Sequence, residues 1–399
     1  MPATTNSFED DVQRRLEEIR AQGLHRTLRP VDSPQGTDIV VEGRRLLNFS
    51  SNDYLGLAMH PALRQAARDA VETSGAGCGA SRLICGSLAP LHELEAALVG
   101  FKGCPAALVF SSGYITALGA ITALVGRGDF IVIDRLVHAC IVDAARLSGA
   151  GLRVFEHNDP SHLDRALDRI RSRHAGARVL VVTESVFSMD GDVAPIRELA
   201  GVKDRHGAWL MVDEAHATGV FGAGRRGVIE EHDLIGRIEV QMGTLGKAVG
   251  SAGGYVAGSK ALIELLVNRA RSLIFSTAPV PAAAAAARAG IELIRSKEGS
   301  RRCANLWRNI DQARERIERS GFARPATRSP ILPLRVGDEG LAVELASRLR
   351  ELGIFVPAVR YPAVARGAAR LRITLSADHQ SEHLDRLETA LREVRGVLP

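Results

Sequence analysis

The chain has 399 residues, of which 46% are hydrophobic and 24% are charged, a composition typical of a globular protein and not of a disordered or fibrous one. Its 51 basic and 46 acidic residues give a net charge of +5 that is spread along the chain, which argues against a nucleic-acid-binding stripe. The five cysteines form no C-x-x-C pair or zinc spacing, and neither a secretory signal nor an apolar run of the ~20 residues that span a bilayer is present. We therefore expect a cytoplasmic protein with no metal site and no nucleic-acid or membrane partner.

The first predicted element is an exposed amphipathic helix over about 8–22, where apolar residues recur at helical spacing among many charges. From residue 106 onward, short β-rich runs alternate with helical stretches. These runs are Ala106–Phe110, Phe130–Asp134, Val154–His157, Val179–Thr183, Leu210–Asp213 and Tyr255–Ala257. Continuous apolar strands that alternate with helices predict an α/β fold with a mostly parallel central sheet.

The alternation ends after a helical stretch around 282–294. Strand-like runs at 331–335 and 371–375 then lie between helical runs at 341–352 and 383–394, which predicts a smaller α+β unit. We expect an N-terminal arm and segment over 1–50, a large ligand-binding domain over 51–285 and a small C-terminal domain over 286–399.

Two short segments are the most informative about chemistry. The predicted strand Trp209–Asp213 ends in an acid with His216 three residues later, and a glycine-flanked loop presents Lys247. Each residue alone has a structural explanation, as a turn cap, a buried hydrogen-bonding histidine or a surface lysine. Together they suit pyridoxal phosphate, because its Schiff base needs an amine and its ring nitrogen needs a carboxylate partner. Ligands of open α/β sheets bind outside the carboxyl ends of the strands, where both segments are predicted to lie.

Three further polar positions directly follow predicted strands. Ser111–Tyr114 opens a helical stretch, so its backbone amides form either a phosphate site or an ordinary helix cap. His138 and Ser188 each follow a strand by a few residues. Stacking on a ring and a buried structural hydrogen bond explain His138 equally well, and the structural explanation of Ser188 is a turn residue.

The letters Asp-Glu-Ala-His at 213–216 also occur in nucleic-acid-dependent ATPases. That chemistry needs an upstream phosphate loop of the form G-x-x-x-x-G-K-[ST], whereas Lys247 lies downstream, with Gln241 at the first glycine position and Ala248 at the last. A DEAH-type ATPase is therefore a weak alternative.

Four ordered motifs resemble the α-oxoamine synthases, which are fold-type I pyridoxal phosphate transferases, over nearly the whole chain. The motifs are Asn48–Leu57, Ser188–Asp192, Asp213–Gly219 and Gly243–Lys247. Among members of this family, the motifs most resemble an enzyme of biotin synthesis. The resemblance therefore implies a condensation of L-alanine with pimeloyl-CoA or a pimeloyl carrier-protein thioester, with loss of carbon dioxide. The resemblance also implies a homodimer with shared active sites.

The resemblance implies roles for individual residues. Lys247 would bond covalently to the cofactor, Asp213 would pair with the ring nitrogen, His138 would stack on the ring, and His216 and Ser188 would bond its phenolic oxygen. The phosphate region would be held by Gly113, Tyr114 and Thr244, and by Ser276 and Thr277 reaching the partner subunit. Arg360, with Asn52 near it, would bind the amino-acid carboxylate, and Arg26 would lie at the acyl-substrate site.

One departure from the family pattern bears on the acyl substrate. Where the family has Pro-Pro-Thr-Val-Pro, this chain has Tyr361–Ala365, so Ala363 replaces a threonine that would contact substrate. Cys78 and the segment Ile84–Ser87 also resemble a sister enzyme, 2-amino-3-ketobutyrate CoA ligase, which uses glycine and acetyl-CoA. That activity is an alternative, and the motifs leave open whether His138 or Lys247 returns the proton to the product.

Overall fold

The computed structural model describes residues 7–396. Its helices are α1 Phe8–Ala21, α2 Pro61–Ser74, α3 Ala89–Lys102, α4 Gly113–Leu124, α5 Ala139–Ser148, α6 Pro160–Arg173, α7 Ile196–Arg205, α8 Val228–Glu231, α9 Lys260–Arg269, α10 Arg271–Ile274, α11 Pro281–Arg295, α12 Lys297–Arg319, α13 Glu339–Glu351 and α14 Ser381–Arg395. Its strands are β1 Asp38–Val41, β2 Arg44–Asn48, β3 Ala106–Phe110, β4 Phe130–Asp134, β5 Gly151–Phe155, β6 Val179–Glu184, β7 Trp209–Asp213, β8 Val240–Thr244, β9 Gly254–Gly258, β10 Ile331–Gly337, β11 Ile354–Phe355, β12 Ala358–Val359 and β13 Ala369–Thr374.

The central sheet has seven strands in the order β3-β9-β8-β7-β6-β4-β5. Strands β5, β4, β6, β7 and β8 run parallel, and β9 pairs antiparallel with both β8 and β3. The predicted mostly parallel sheet is therefore confirmed. Because the inner strands are buried on both faces, they read as continuous apolar runs, and their carboxyl ends meet at one edge of the sheet.

Two strand predictions differ from the structure. The run predicted at 154–157 is strand β5 at Gly151–Phe155, an edge strand that pairs only with β4, so that Arg153 and Val154 are exposed and weaken its apolar signal. Gly243 and Thr244, which we expected in a loop, end strand β8. Gly243 fits there because a Cβ at this position would lie 2.5 Å from the Tyr255 hydroxyl.

The C-terminal part contains the predicted α+β unit. Its antiparallel sheet has the order β10-β13-β12 and packs with α13, while the 23-residue helix α12, not predicted as an element, contacts α14. A third sheet joins β1 and β2 to β11, so the N-terminal segment pairs with the C-terminal unit. The division at residues 50 and 285 remains our proposal for the domains.

Helix α1 has no buried residue, in agreement with an exposed amphipathic arm. Between residues 7 and 396, no helix has both the length and the apolar character needed to cross a bilayer. Helix α11 packs against α2 and α3 beside the central sheet, which places the large core around the seven strands.

Candidate active site

The carboxyl edge of the central sheet gathers two acids on neighbouring strands. Asp213 ends β7 and Glu184 ends β6, and the two residues are register partners. Burial raises the pKa of Asp213, against the pull of the Lys247 ammonium, and burial together with Asp213 raises the pKa of Glu184 to about 8. Asp213 Oδ1 accepts the Ala215 N–H at 2.9 Å, whereas no donor between residues 7 and 396 reaches its Oδ2. One carboxylate oxygen therefore remains available to a ligand.

A chain of hydrogen bonds runs from Lys247 across the site. Lys247 Nζ lies 2.8 Å from His216 Nε2, and His216 Nδ1 lies 2.6 Å from the Tyr54 hydroxyl. Tyr54 donates to Asn52 Oδ1 at 3.1 Å, and the Arg372 guanidinium donates to the same oxygen at 3.2 and 3.3 Å. This series of hydrogen bonds brings three of the motifs together with strand β13, although they are far apart in sequence.

The donors in this series of hydrogen bonds determine which ring nitrogen of His216 carries the proton. Arg372 can only donate, so the Asn52 amide presents its oxygen, and the Tyr54 proton is used on that oxygen. His216 Nδ1 is then the donor to Tyr54, and Nε2 is left to accept from Lys247. Burial lowers the pKa of His216 well below its usual value, and burial raises the pKa of Tyr54 to about 12, so both side chains are neutral near pH 7.

Lys247 is placed by the loop after β8. Burial lowers the pKa of its amine to about 8, although the Asp213 and Glu184 carboxylates oppose this shift. A lysine with this pKa has a substantial neutral fraction near neutral pH, which a nucleophile or a base requires. The interpretation of Lys247 as an ordinary surface lysine is therefore wrong.

The start of helix α4 forms a second part of the site. Ser112 caps the helix and accepts the Ile115 N–H at 3.3 Å, while the Gly113 and Tyr114 amides have no acceptor between residues 7 and 396. A Cβ at Gly113 would lie 3.5 Å from Thr244 Cβ, which shows how closely β8 approaches the helix start. Free amides at a helix N-terminus are suited to bind a phosphate.

His138 and Ser188 flank the acids. Glu184 accepts the backbone N–H of His138 at 2.5 Å, and His138 caps helix α5 with its own ring. The Ser188 carbonyl accepts from Arg372 Nε at 2.6 Å, which holds the loop that carries this serine against strand β13. Both residues therefore lie at the same edge of the sheet as Asp213.

These residues fit pyridoxal phosphate. The site combines a lysine of lowered pKa, a buried carboxylate with one oxygen available, and two amides at the start of α4 that find no acceptor among residues 7–396. An aldehyde, a ring nitrogen and a phosphate are the three groups that such a set would bind. Lys247, Asp213 and the start of α4 are the residues that would hold them.

The side chains of the remaining predicted positions form no hydrogen bond with this cluster in the described part of the chain. Ser276 and Thr277 follow α10 on the surface, where Thr277 bridges to Ser81. The Arg360 guanidinium donates to the carbonyls of Gly23 and His25, so it holds the N-terminal segment and does not contact Asn52. Tyr114, half exposed, donates to Asp143 at 2.6 Å.

Arg26 and Ala363 line a cavity of about 470 Å³ between the N-terminal segment and the C-terminal α+β unit. Arg26 donates to the Tyr361 carbonyl at 2.9 Å. Arg350 and Arg360 also line this cavity, and neither they nor Arg26 form an ion pair with a carboxylate in the described part of the chain. The cavity therefore combines unpaired positive charge with an apolar wall.

Sequence reasoning missed three residues of the site. Arg372 is buried in strand β13 and contacts both Asn52 and the Ser188 carbonyl. Its signal was an arginine that alternates with apolar residues along the predicted strand run 371–375, a position where a charge needs a partner. Glu184 had the same signal as Asp213, an acid that ends a buried strand. Tyr54 lies in the motif Asn48–Leu57, but the sequence analysis assigned it no function.

Comparisons with known proteins agree with this site. The family model of class I and II aminotransferases matches residues 44–391. The 8-amino-7-oxononanoate synthase of Geobacter sulfurreducens is 47% identical over 95% of this chain and 96% of its own length, and that of Stutzerimonas stutzeri is 47% identical over 98% of both.

Solved structures of related enzymes share the fold. Serine palmitoyltransferase of Sphingomonas wittichii is 32% identical with a TM-score of 0.92 over all of both chains, and the enzyme of S. paucimobilis, at 29% and 0.92 over 99% of both, has a pyridoxal phosphate adduct bound. An 8-amino-7-oxononanoate synthase of Francisella tularensis is 27% identical, with a TM-score of 0.73 over 88% of this chain and 98% of its own. The chain therefore belongs to the 8-amino-7-oxononanoate synthases, pyridoxal phosphate enzymes of the α-oxoamine synthase group within the class I and II aminotransferase family.

Proposed function

We propose that the chain condenses L-alanine with a pimeloyl thioester to give 8-amino-7-oxononanoate, carbon dioxide and the free thiol, in biotin biosynthesis. The observation that carries this proposal is the 47% identity, over nearly the full length, to curated 8-amino-7-oxononanoate synthases. The buried cluster of Lys247, Asp213 and His216 supports it, because these side chains supply what the chemistry needs. Family membership excludes the DEAH-type ATPase.

Each step draws on a residue of the cluster. When bound, pyridoxal phosphate supplies an aldehyde for the amino group and a ring that withdraws electrons from the alanine Cα. Asp213 would hold a proton at the ring nitrogen, and its burial strengthens that interaction. Lys247, with a pKa of about 8, would accept the Cα proton at Nζ. Ser188 would donate its hydroxyl to the ring's phenolic oxygen, while His216 Nε2 stays the acceptor of the Lys247 amine.

We propose Arg372 as the residue that binds the alanine carboxylate. Its guanidinium is buried, contacts Asn52 and lies in the same hydrogen-bonded chain as Lys247. Arg360, for which we expected this role, has its guanidinium on two backbone carbonyls of the N-terminal segment. A planar guanidinium in a buried site is suited to two-point binding of a carboxylate.

We propose the cavity lined by Arg26, Arg350 and Arg360 as the acyl site. Its wall includes Val343, Phe355 and Val356, so it suits an apolar chain that ends in an anion. Pimelate has this chemistry, with several methylene groups and a terminal carboxylate. Met189, next to Ser188, also lines the cavity, which links it to the cofactor site. The small side chain of Ala363 leaves room at its rim.

We also propose a cytoplasmic homodimer. The surface near Ser276 and Thr277 exposes large apolar side chains, since Phe275 is 70% exposed and Ile84 is 78% exposed. Exposed apolar side chains around a polar segment are typical of a protein interface. All five cysteines are free, which supports a reducing compartment. Sedimentation of the wild type and of Ile84→Asp tests the dimer, which the charge should weaken.

A matched set of assays tests the reaction. The purified enzyme is expected to release product from L-alanine with pimeloyl-CoA or a pimeloyl carrier protein, and not from glycine with acetyl-CoA or serine with palmitoyl-CoA. Lys247→Ala should lose both turnover and the visible band of the covalently bound cofactor. Retention of both by this variant, or a preference for glycine and acetyl-CoA in the wild type, would contradict the proposal.

A further inference from the structure

The two ring nitrogens of His138 have different surroundings. Nδ1 faces helix α5, where the Cys140 backbone N–H donates to it at 3.2 Å and Cys140 Sγ lies 3.0 Å away. No residue between 7 and 396 forms a hydrogen bond with Nε2. The ring is thus anchored at one nitrogen, while the other remains available to a ligand.

The anchoring contacts determine which nitrogen carries the proton. A backbone N–H can only donate, so Nδ1 must accept, and a neutral imidazole that accepts at Nδ1 carries its hydrogen on Nε2. Burial raises the pKa of the Cys140 thiol, so the thiol keeps its hydrogen and remains a second donor to Nδ1. A proton on Nδ1 would face two donors.

The charges around His138 also favour the neutral ring. His138 is the N-cap of α5, and the positive end of a helix disfavours an imidazolium. Burial and the Lys247 ammonium lower its pKa, while the carboxylates of Asp213 and Asp143 oppose this, with Asp143 already engaged by Tyr114. The net direction is below the usual value for histidine, so the ring is neutral near pH 7.

We propose that the N–H and thiol of Cys140 hold His138 as the neutral Nε2–H tautomer, so that His138 acts in the site as a hydrogen-bond donor and not as a base. Cys140 is in this sense a positioning residue. Lys247 is then left as the base of the cluster. The identity of the substrate group that accepts from Nε2 rests on the proposed function. The tautomer does not, because contacts within the protein set it.

The tautomer can be read directly by nitrogen NMR of the holoenzyme labelled with ¹⁵N-histidine. The His138 signals are assigned by their loss in His138→Asn. Near pH 7 and above, to about pH 8, we expect an unprotonated, hydrogen-bonded Nδ1 and a protonated Nε2. An imidazolium, or a ring with its hydrogen on Nδ1, would overturn the proposal even if the enzyme turned over alanine normally.

Variants at Cys140 test the contribution of the thiol. Cys140→Ser keeps a donor to Nδ1 and should keep the wild-type tautomer and turnover. Cys140→Ala removes the thiol but keeps the backbone N–H. Part of the Nε2–H population should therefore be lost, and kcat should fall severalfold. If Ala and Ser variants give the same His138 spectrum, the thiol has no positioning role.

The variant His138→Asn separates the donor from the helix cap. The Asn oxygen can occupy the place of Nδ1 and cap α5, whereas nothing replaces Nε2–H. We expect an unchanged melting temperature, a retained cofactor band and a roughly 100-fold fall in kcat, as for the loss of one donor in a catalytic site. Wild-type kcat in this variant would contradict the donor role. If alanine and pimeloyl thioester are not the substrates, the wild type itself shows no turnover, while the NMR result stands.

Discussion

Lys102→Met tests how much the buried ion pair of Glu214, the residue that follows Asp213, contributes to the stability of the fold. The pair Lys102–Glu214 is fully buried, with Nζ 2.5 Å from Oε2, and Lys102 also donates to the Arg226 carbonyl. Burial by itself lowers the pKa of Lys102, but Glu214 outweighs it and holds that pKa above the usual value. Lys102 is therefore charged at neutral pH, with Glu214 as its buried partner.

The cost of breaking this pair can be worked from its burial. Removal of one partner leaves an uncompensated charge and costs about 3–5 kcal/mol, a large part of the ~5–15 kcal/mol by which proteins of ordinary stability are folded. In Lys102→Met/Glu214→Gln no charge is left, and the amide oxygen can still accept the Ile229 N–H. The double variant should therefore lose only about 1–2 kcal/mol.

Urea unfolding of the holoenzyme at neutral pH measures both values. The exposed pair Arg348–Glu344 supplies the control, because Arg348→Met should change the unfolding free energy by less than about 0.5 kcal/mol. A loss below about 1 kcal/mol for Lys102→Met, or a double variant as unstable as the sum of its singles, would refute the reasoning.

Three further outcomes are expected. Burial alone would lower the pKa of His157, but hydrogen bonds to Asp134 and Asp192 raise it to about 10. The contribution of His157 to stability is therefore complete below about pH 6.5 and is lost as the pH rises through about 10. The melting temperature of His157→Gln should decline less than that of the wild type over this range. Arg372→Leu should raise KM for alanine roughly 10- to 100-fold, with partial recovery in Arg372→Lys; an unchanged KM would remove it as the carboxylate partner. Arg350→Leu should lower kcat/KM roughly 10-fold for pimeloyl-CoA and leave heptanoyl-CoA unaffected, whereas equal losses on both would indicate a contact with the thiol carrier instead.

Local patterns were enough to locate the chemistry because the carboxyl ends of parallel strands meet at one edge. Asp213 and Lys247 lie in separate segments, yet both follow strands of the same sheet, and the sequence places them together on that ground alone. The same argument applied to Glu184 would have added it to the site. The predicted range of edge strand β5 was displaced by a few residues, because its partial exposure weakens the apolar signal on which strand prediction depends.

By itself, the sequence determined the α/β class, the mostly parallel sheet, the cofactor and the lysine, acid and imidazole at its edge, because each is written in short segments with strong periodicity or composition. Only the tertiary structure decided which arginine meets Asn52, how Cys140 orients the His138 ring, and that Lys102 is the buried partner of Glu214. These contacts join residues by distance in space, through side-chain directions that strand and helix packing fix. Arg360 and Arg372 are twelve residues apart and both look suitable, but only Arg372 lies on a strand that faces the site.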